Sequence, residues 1–232
     1  MPSRNYGQSC SLAGALDRIG ERWSLLIVRE LSLGPLRFSE LARAVGGSPT
    51  DVLTRRLRDL ESHGIVERRN LPAPISATVY ELTEVGRELE RPMIELGRWG
   101  MNFQQAADVA ELAPSSLPNA LRVILRPPAD ASLVVGLHSQ GQDYMLRVDG
   151  GWIDASRGEA SGPDLRLSGS PRDVIAALVL GDEAGAEVEI DGDRGALEAL
   201  RSMVSIPERL RAEALAEATA SLAEVAASPA GT

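Results

Sequence analysis

The chain has 232 residues, 44% of them hydrophobic, and a net charge of −9, which suits one large domain or two ordinary ones. No run approaches the roughly 20 apolar residues of a membrane span, and the N-terminus MPSRNYGQSC lacks a signal-peptide core. One cysteine, Cys10, excludes an internal disulfide framework and favours a reducing compartment. We therefore expect a cytoplasmic protein without a membrane segment.

The charge is distributed unevenly along the chain. All 24 basic residues are arginines; residues 1–110 contain 14 of them and 14 acids, whereas residues 111–232 contain 10 arginines and 19 acids. The whole net charge therefore belongs to the second half. A neutral first half with local arginine clusters can still approach DNA, although a uniformly acidic surface would repel it.

The first half begins with helical patterns. An apolar stripe predicts one helix over residues 11–31. A short amphipathic helix over 38–45 and a Gly46-Gly47 turn follow. A second helix over 49–63 is then predicted, with Ser48 as N-cap and Pro49 at the first helical position.

This second helix has one apolar and one polar side. Leu53, Leu57 and Leu60 recur at helical spacing and should face inward. Gly64 should end the helix, and two β segments, 65–69 and 78–82, form a hairpin with its tip at 71–76. The pattern predicts a helix-turn-helix followed by a wing, the arrangement that places a helix in the major groove of DNA.

The predicted DNA contacts lie on or next to the open face of the second helix, just before each of the two helices, and in the wing. They are Arg37, Ser48, Pro49, Thr50, Thr54, Arg55, Arg56, Arg58, Arg68 and Arg69. The alternative for the helix is a solvated face with Arg55–Asp59 and Arg58–Glu61 pairs. For the wing, the alternative is solubilising charge on an edge strand.

A long helix over 84–108 should close the first domain, and it carries Trp99 and Phe103 on an apolar stripe. Core or dimer-interface packing explains these aromatics, and Trp23, better than a ligand cage does. Residues 110–120 are rich in Pro, Ser and Ala, which is typical of a linker. The pattern predicts domains over 1–109 and 120–232.

The second half alternates apolar and polar residues as half-buried strands do. A hairpin turn is expected at Gly150-Gly151, and helices are expected over 171–180, 194–204 and 207–226. The strands are predicted over 132–139, 143–156, 163–170 and 186–193. The fold class of the whole chain is therefore α+β, with a mostly antiparallel sheet in the second domain.

No catalytic or metal-binding pattern appears. The two histidines, His63 and His138, have no ligand at metal-binding spacing, and no GxSxG, Walker or GxGxxG motif is present. The Asp-Gly-Asp at 191–193 is a turn and cap signal without the other ligands of a calcium loop. We expect no enzyme, no metal and no cofactor.

Residues 10–100 resemble an HxlR-type winged helix-turn-helix regulator, a relative of the MarR class. The matching features are Cys10, GERW (20–23), RFSEL (37–41), LTRRLRDLE (53–61), Gly64, YELTEVG (80–86) and Trp99-Gly100. The resemblance implies a bacterial transcription factor that is a homodimer through its first and last helices.

Three residues stand out against that resemblance. Glu21 replaces the lysine that the family usually has, and Asp51 replaces a frequently basic residue, which puts a phosphate contact there in doubt. Cys10 is implied as a possible redox sensor, because a thiol just before a helix has a lowered pKa. The alternative is a half-buried cysteine that only packs.

Residues 120–206 resemble the sterol carrier protein type two fold. The similar segments are YMLRVDGG (144–151), PDLRLSGSPRDVIAALVLGD (163–182) and EIDGDRGALEALRSM (189–203). The resemblance implies an apolar tunnel for a hydrophobic ligand, and the candidate lining residues are Leu133, Val135, Leu146, Leu167, Ile175 and Leu178. An ordinary aliphatic core is the alternative.

The sequence therefore predicts a homodimeric regulator that binds double-stranded operator DNA and responds to a small hydrophobic ligand through its second domain. The alternative is a protein that binds lipid or another hydrophobic ligand and uses the winged helix for dimerisation only.

Overall fold

A computed structural model of the chain describes residues 6–74, 76–105, 115–181 and 186–227. It contains two compact units, Met1–Ile94 and Glu95–Thr232. The division lies inside a helix, Glu90–Gly100, whereas the sequence predicts domains over 1–109 and 120–232.

The N-terminal unit is a winged helix-turn-helix. Its elements are α1 (Ser11–Ile19), α2 (Ser24–Leu31), α3 (Phe38–Val45), α4 (Thr50–Ser62), β1 (Val66–Leu71), β2 (Ala77–Leu82), α5 (Glu84–Arg87) and the start of α6 (Glu90–Gly100). The strands β1 and β2 pair antiparallel, and Leu36 adds a bridge to Tyr80 through backbone bonds of 3.0 and 2.8 Å. This confirms the predicted helix-turn-helix and wing.

The core of this unit explains why these helices form. The three leucines of α4, at 53, 57 and 60, are at most 1% exposed, and Leu41 of α3 is fully buried. They pack with Ile27 of α2 and with residues of both wing strands. The inward face predicted from the leucine spacing is therefore confirmed, and its burial leaves the polar side of α4 open.

The single helix predicted over 11–31 is wrong, because the chain breaks between Ile19 and Ser24. Gly20 closes α1, and a Cβ there would lie 2.5 Å from the carbonyl oxygen of Leu16. Trp23 then adopts a left-handed backbone with φ of 83°, a conformation that costs a bulky residue about 1–3 kcal/mol. The apolar stripe continues across the break, so periodicity alone does not reveal it.

The long helix predicted over 84–108 is also wrong. Thr83 caps α5 by accepting a hydrogen bond from the Gly86 N–H at 3.0 Å, and α6 restarts at Glu90. Pro92 explains the restart, since proline is tolerated in a first turn but not inside a continuous helix. A short 3-10 helix, Met101–Phe103, follows α6, and residues 106–108 lie outside the described residues.

The C-terminal unit contains a five-stranded sheet and helices. After the end of α6 come α7 (Ser116–Ile124), β3 (Ser132–Ser139), β4 (Gln142–Asp149), β5 (Trp152–Arg157), β6 (Leu165–Ser168), α8 (Pro171–Leu180), β7 (Glu189–Gly192), α9 (Arg194–Ser202) and α10 (Glu208–Ala227). The strand order is β5-β4-β3-β6-β7, and only β3 and β6 run parallel. The prediction of a mostly antiparallel sheet is confirmed.

The predicted turn and helix-cap residues of this unit are confirmed. Gly150 and Gly151 both have positive φ in the turn between β4 and β5. Ser170 caps α8 ahead of Pro171, and Gly181 follows the helix in a left-handed conformation. Asp193 caps α9 through the Gly195 N–H.

The predicted linker over 110–120 is wrong in its last part. α7 begins at Ser116, and its Leu117 and Leu121 are fully buried. Pro118 lies in the first turn of the helix, where a missing N–H costs no hydrogen bond. Residues 110–114 lie outside the described residues.

Candidate nucleic-acid interface

The second helix of the helix-turn-helix, α4, starts one residue later than predicted. Pro49 occupies the N-cap position rather than the first helical position. Ser48 is not the cap; its hydroxyl donates to the Pro49 carbonyl oxygen at 3.4 Å. The exposed Asp51 sits in the first turn, where a negative charge favours the helix dipole. Asp51 therefore has a structural role, at a position where the resemblance leads us to expect a basic residue.

The open face of α4 presents two arginines whose guanidinium groups have no protein partner among the described residues. Arg55 and Arg58 are exposed. Over the residues that the structure describes, neither guanidinium has an ion pair or a hydrogen bond. The alternative Arg55–Asp59 and Arg58–Glu61 pairs do not form, because each of those acids is engaged by another arginine. Thr50 is exposed on the same helix, and the Thr54 hydroxyl donates to its carbonyl oxygen at 2.8 Å.

Arg56, predicted with the DNA-contacting arginines, has a different environment. Its side chain is 11% exposed, and it lies 2.9 Å from an Asp59 carboxylate oxygen and 3.6 Å from one of Glu21. Glu21 belongs to the loop between α1 and α2. The structure therefore places Arg56 between that loop and the inner side of α4, away from Arg55 and Arg58.

The two wing arginines are also paired. Arg68 lies 2.9 Å from Glu61, and its guanidinium stacks 5.2 Å from the ring centre of Tyr80. Arg69 makes two bonds to Glu81, of 2.6 and 3.0 Å. About half of each arginine side chain remains exposed, so the wing is polar but its charges are largely compensated.

Arg37 lies just before α3. It is exposed, and its backbone N–H donates to the Glu40 carboxylate at 2.8 Å, which satisfies one of the free donors at the start of the helix. Over the described residues its guanidinium has no ion pair. Like Arg55 and Arg58, it is a cation without a compensating acid among the described residues of this unit.

Cys10 occupies the N-cap position of α1 and is exposed. Its sulfur makes no capping hydrogen bond of regular geometry. The backbone N–H groups of Ala13 and Leu12 nevertheless point toward it and lower the pKa of the thiol. The lowered pKa favours the thiolate, which is the reactive form.

Large apolar side chains are exposed on several helices of both units. In the N-terminal unit, Leu12 and Leu16 of α1 are 67% and 39% exposed. In the C-terminal unit, Trp99 and Phe103 are 62% and 71% exposed, and their rings make an edge-to-face contact at 4.9 Å. Trp23, in contrast, is half-buried against the core of the N-terminal unit.

The residues predicted to line a ligand tunnel lie in the core of the C-terminal unit. Five of the six, Leu133, Val135, Leu146, Leu167 and Leu178, are at most 6% exposed, and Ile175 is half-buried. None of them lines the small polar recess on the other face of the sheet, which is formed around Gly136, His138, Asp143 and Arg166. In that recess His138 Nδ1 lies 2.8 Å from Asp143 Oδ1.

The described residues form neither a metal-binding cluster nor a membrane-spanning helix. Within the described ranges, no three His, Cys, Asp or Glu side chains are grouped as metal ligands would be. Over the same ranges, no helix combines the length and the apolar character needed to cross a bilayer.

Comparisons with known proteins match the N-terminal half. A family model described as HxlR-like helix-turn-helix matches residues 18–108. An HTH-type transcriptional regulator of Synechocystis sp. is 34% identical over 119 residues, which are 51% of this chain and 88% of that protein. YodB, an HTH-type transcriptional regulator of Bacillus subtilis, is 34% identical over 97 residues, 42% of this chain and 87% of YodB. A Mycobacterium bovis regulator of the same type is 41% identical over 93 residues, 40% of this chain and 58% of the relative.

Proposed function

The chain belongs to the HxlR-like helix-turn-helix family of transcriptional regulators, and from that premise we propose that it binds operator DNA as a homodimer. Arg55, Arg58 and Thr50 on α4 read base edges in the major groove, and Arg37 and the wing lie along the backbone. Arginine pairs well with guanine edges in that groove. In this proposal the operator belongs to bacterial DNA, so the regulator acts in the cytoplasm.

The observation that carries the proposal is the pair of unoccupied guanidinium groups on α4. Arg55 and Arg58 are exposed on a helix whose opposite side is fully buried. An exposed arginine without a carboxylate partner keeps all its donors for a ligand. Two such arginines on the second helix of a helix-turn-helix present them where base edges lie.

The proposal of a homodimer rests on the exposed apolar side chains of α1, of α6 and of the 3-10 helix that follows α6. Large exposed apolar patches mark interaction sites on soluble proteins, and Trp99 and Phe103 would be costly to leave in water. A dimer would place two copies of α4 about 34 Å apart, which matches half-sites one turn apart on a pseudo-palindrome.

The C-terminal unit is proposed as an accessory module through which a small hydrophobic ligand modulates DNA binding. Its mixed sheet under helices and its aliphatic interior suit an apolar guest. The six candidate lining residues are packed in that interior, so ligand entry requires the interior to open. Cys10, with its lowered thiol pKa, is proposed as a second input that responds to oxidants.

The test is selection of duplexes from a random double-stranded library, followed by mobility-shift titration at fixed salt. Arg55→Ala should weaken specific binding by about 1–3 kcal/mol, as expected for loss of a base contact. Arg172→Ala, an exposed arginine on α8, is the matched control and should bind like wild type. Native mass spectrometry of the same preparation should show the dimer mass, and recovery of no selected duplex would refute the proposal.

A further inference from the structure

The recognition helix α4 is held on both sides by arginine ion pairs within its own unit. One pair joins it to the loop between α1 and α2, and the other joins it to the wing. The inference drawn from them rests on the proposed function and concerns how α4 is presented to DNA.

The contact with the loop runs through Arg56. Its guanidinium is almost fully buried and lies between Asp59 of α4, at 2.9 Å, and Glu21 of the loop, at 3.6 Å. Two residues later the left-handed Trp23 brings its ring to the turn before α4, because a Cβ built on Gly47 would lie 3.8 Å from the indole. The loop therefore contacts both the body of α4 and the turn that precedes it.

The contact with the wing runs through Arg68. Its Nε and Nη2 atoms reach the two carboxylate oxygens of Glu61, at 2.9 and 3.1 Å. The same guanidinium stacks over Tyr80 on the partner strand. A bidentate pair fixes direction as well as distance, so Arg68 ties the last turn of α4 to the wing.

The ion pairs of Arg56 and Arg68 argue against a role for these two arginines in phosphate binding. Each is already neutralised by a carboxylate on or beside α4, so moving it to a phosphate would leave that acid unpaired next to DNA. Such a pair contributes no net positive charge to counterion release, on which the salt dependence of binding rests. Arg55 and Arg58 have no such acid in the described part of the unit.

We propose that Arg56 and Arg68 are positioning residues, which set the orientation of α4 against the loop and the wing and do not contact DNA. Glu21 and Glu61 are their required partners. The acid that this chain carries at position 21 is, in this view, the counterpart of Arg56, and the two residues determine together how far α4 projects.

The acids provide the sharpest test. Glu21→Gln and Glu61→Gln each remove a negative charge from the DNA-facing unit. On charge alone both changes should tighten binding to every duplex. If the acids orient the arginines, both changes should instead weaken binding to a selected duplex, by about 5- to 30-fold, while binding to a scrambled duplex of equal length does not weaken.

The arginine variants complete the experiment. Arg56→Gln and Arg68→Gln should weaken binding to the selected duplex by a similar factor, with an unchanged slope of log Kd against log salt. In each pair, the double variant should be no weaker than the worse single variant, because the two residues act as one unit. Arg55→Gln is the control and should lower the salt slope or the sequence preference.

A drop of about one ion in the slope for Arg68→Gln, together with tighter binding by Glu61→Gln, would overturn the proposal. Glu21 is half exposed, so Glu21→Gln keeps the test decisive if Arg56→Gln does not fold; circular dichroism checks folding of each variant. Failure of the wild type to bind any selected duplex would refute the proposed function. Wild-type binding with altered slopes would refute only the positioning role.

Discussion

The two units differ in where their candidate functional residues lie relative to the hydrophobic core. In the N-terminal unit, the buried leucines of α4 serve to present its polar side, where Arg55 and Arg58 are free of acids in the described residues. In the C-terminal unit, five of the six residues predicted to line a ligand site are themselves buried. The first unit therefore exposes its candidate DNA-contacting groups, whereas the second could bind a ligand among its candidate lining residues only by changing its packing.

The charge distribution agrees with this difference. Residues 1–94 contain 13 arginines and 12 acids, whereas residues 95–232 contain 11 arginines and 21 acids. The acidic C-terminal unit should therefore be repelled by DNA, and the nearly neutral N-terminal unit should not. Variants confined to one unit test whether this difference between the two units holds.

The largest effect is expected from cavities in the two cores. Leu146→Ala should lower the free energy of unfolding by about 2–5 kcal/mol, because Leu146 is fully buried in the sheet of the C-terminal unit. Leu57→Ala is the matched change in the N-terminal unit. Urea denaturation followed by circular dichroism measures both. A loss below about 1 kcal/mol for Leu146→Ala alone would show that this interior is loosely packed and open to ligands.

A smaller effect is expected at the proposed dimer face. Trp99→Ser should weaken the dimer by about 1.5–3 kcal/mol if that ring becomes fully buried on association. Sedimentation equilibrium measures the dissociation constant. Leu215→Ser, which removes an exposed leucine from α10, is the control and should leave the constant unchanged. Equal constants for all three proteins would place the interface elsewhere.

Enlarging the interior of the C-terminal unit tests the ligand site. Leu178→Trp should cost about 1–3 kcal/mol of stability by overpacking, since Leu178 is 3% exposed. A thermal-shift screen of the wild type with fatty acids, sterols and small aromatics then measures whether any of these ligands stabilises the folded protein. A ligand at 100 times its Kd should stabilise the folded state by about 2.7 kcal/mol, and Leu178→Trp should abolish that gain. No shift with any class would assign the unit a structural or dimerising role.

The smallest effect concerns Cys10. The nearby backbone N–H groups of Ala13 and Leu12 lower its thiol pKa, so the folded protein holds more thiolate at a given pH than the unfolded chain does. Iodoacetamide should therefore label the folded protein with a pH midpoint below that of the urea-unfolded protein. Cys10→Ser reports background labelling, and a diamide response of DNA binding that persists in this variant would exclude Cys10 as the sensor. Coincident midpoints would show that the helix start does not activate the thiol.

Much of the fold follows from short-range patterns. The spacing of Leu53, Leu57 and Leu60 defines the buried side of α4, and Gly64 ends the helix with a positive φ. Turn and cap residues locate the β4–β5 hairpin and helix α8 in the same way. These signals are reliable because their interactions lie within a few residues along the chain.

The predictions of a single helix over 11–31 and of a linker over 110–120 are wrong because a local pattern there is compatible with more than one structure. An apolar stripe can continue through a break, as it does across Gly20 and Trp23. A segment rich in Pro, Ser and Ala can begin a buried helix, as α7 shows. The local signals at these places, Gly20 after α1 and Pro118 in the first turn of α7, are compatible with more than one backbone path, so the tertiary packing decides between them.

The sequence by itself established that α4 carries three neighbouring arginines on and near its polar side. Which of them is available for DNA depends on partners far away along the chain. Arg56 pairs with Asp59 of its own helix and also with Glu21, 35 positions earlier. Glu61 pairs with the wing residue Arg68. Periodicity places a side chain on a face of a helix, but whether its charge is free depends on which acids the folded chain brings within about 4 Å.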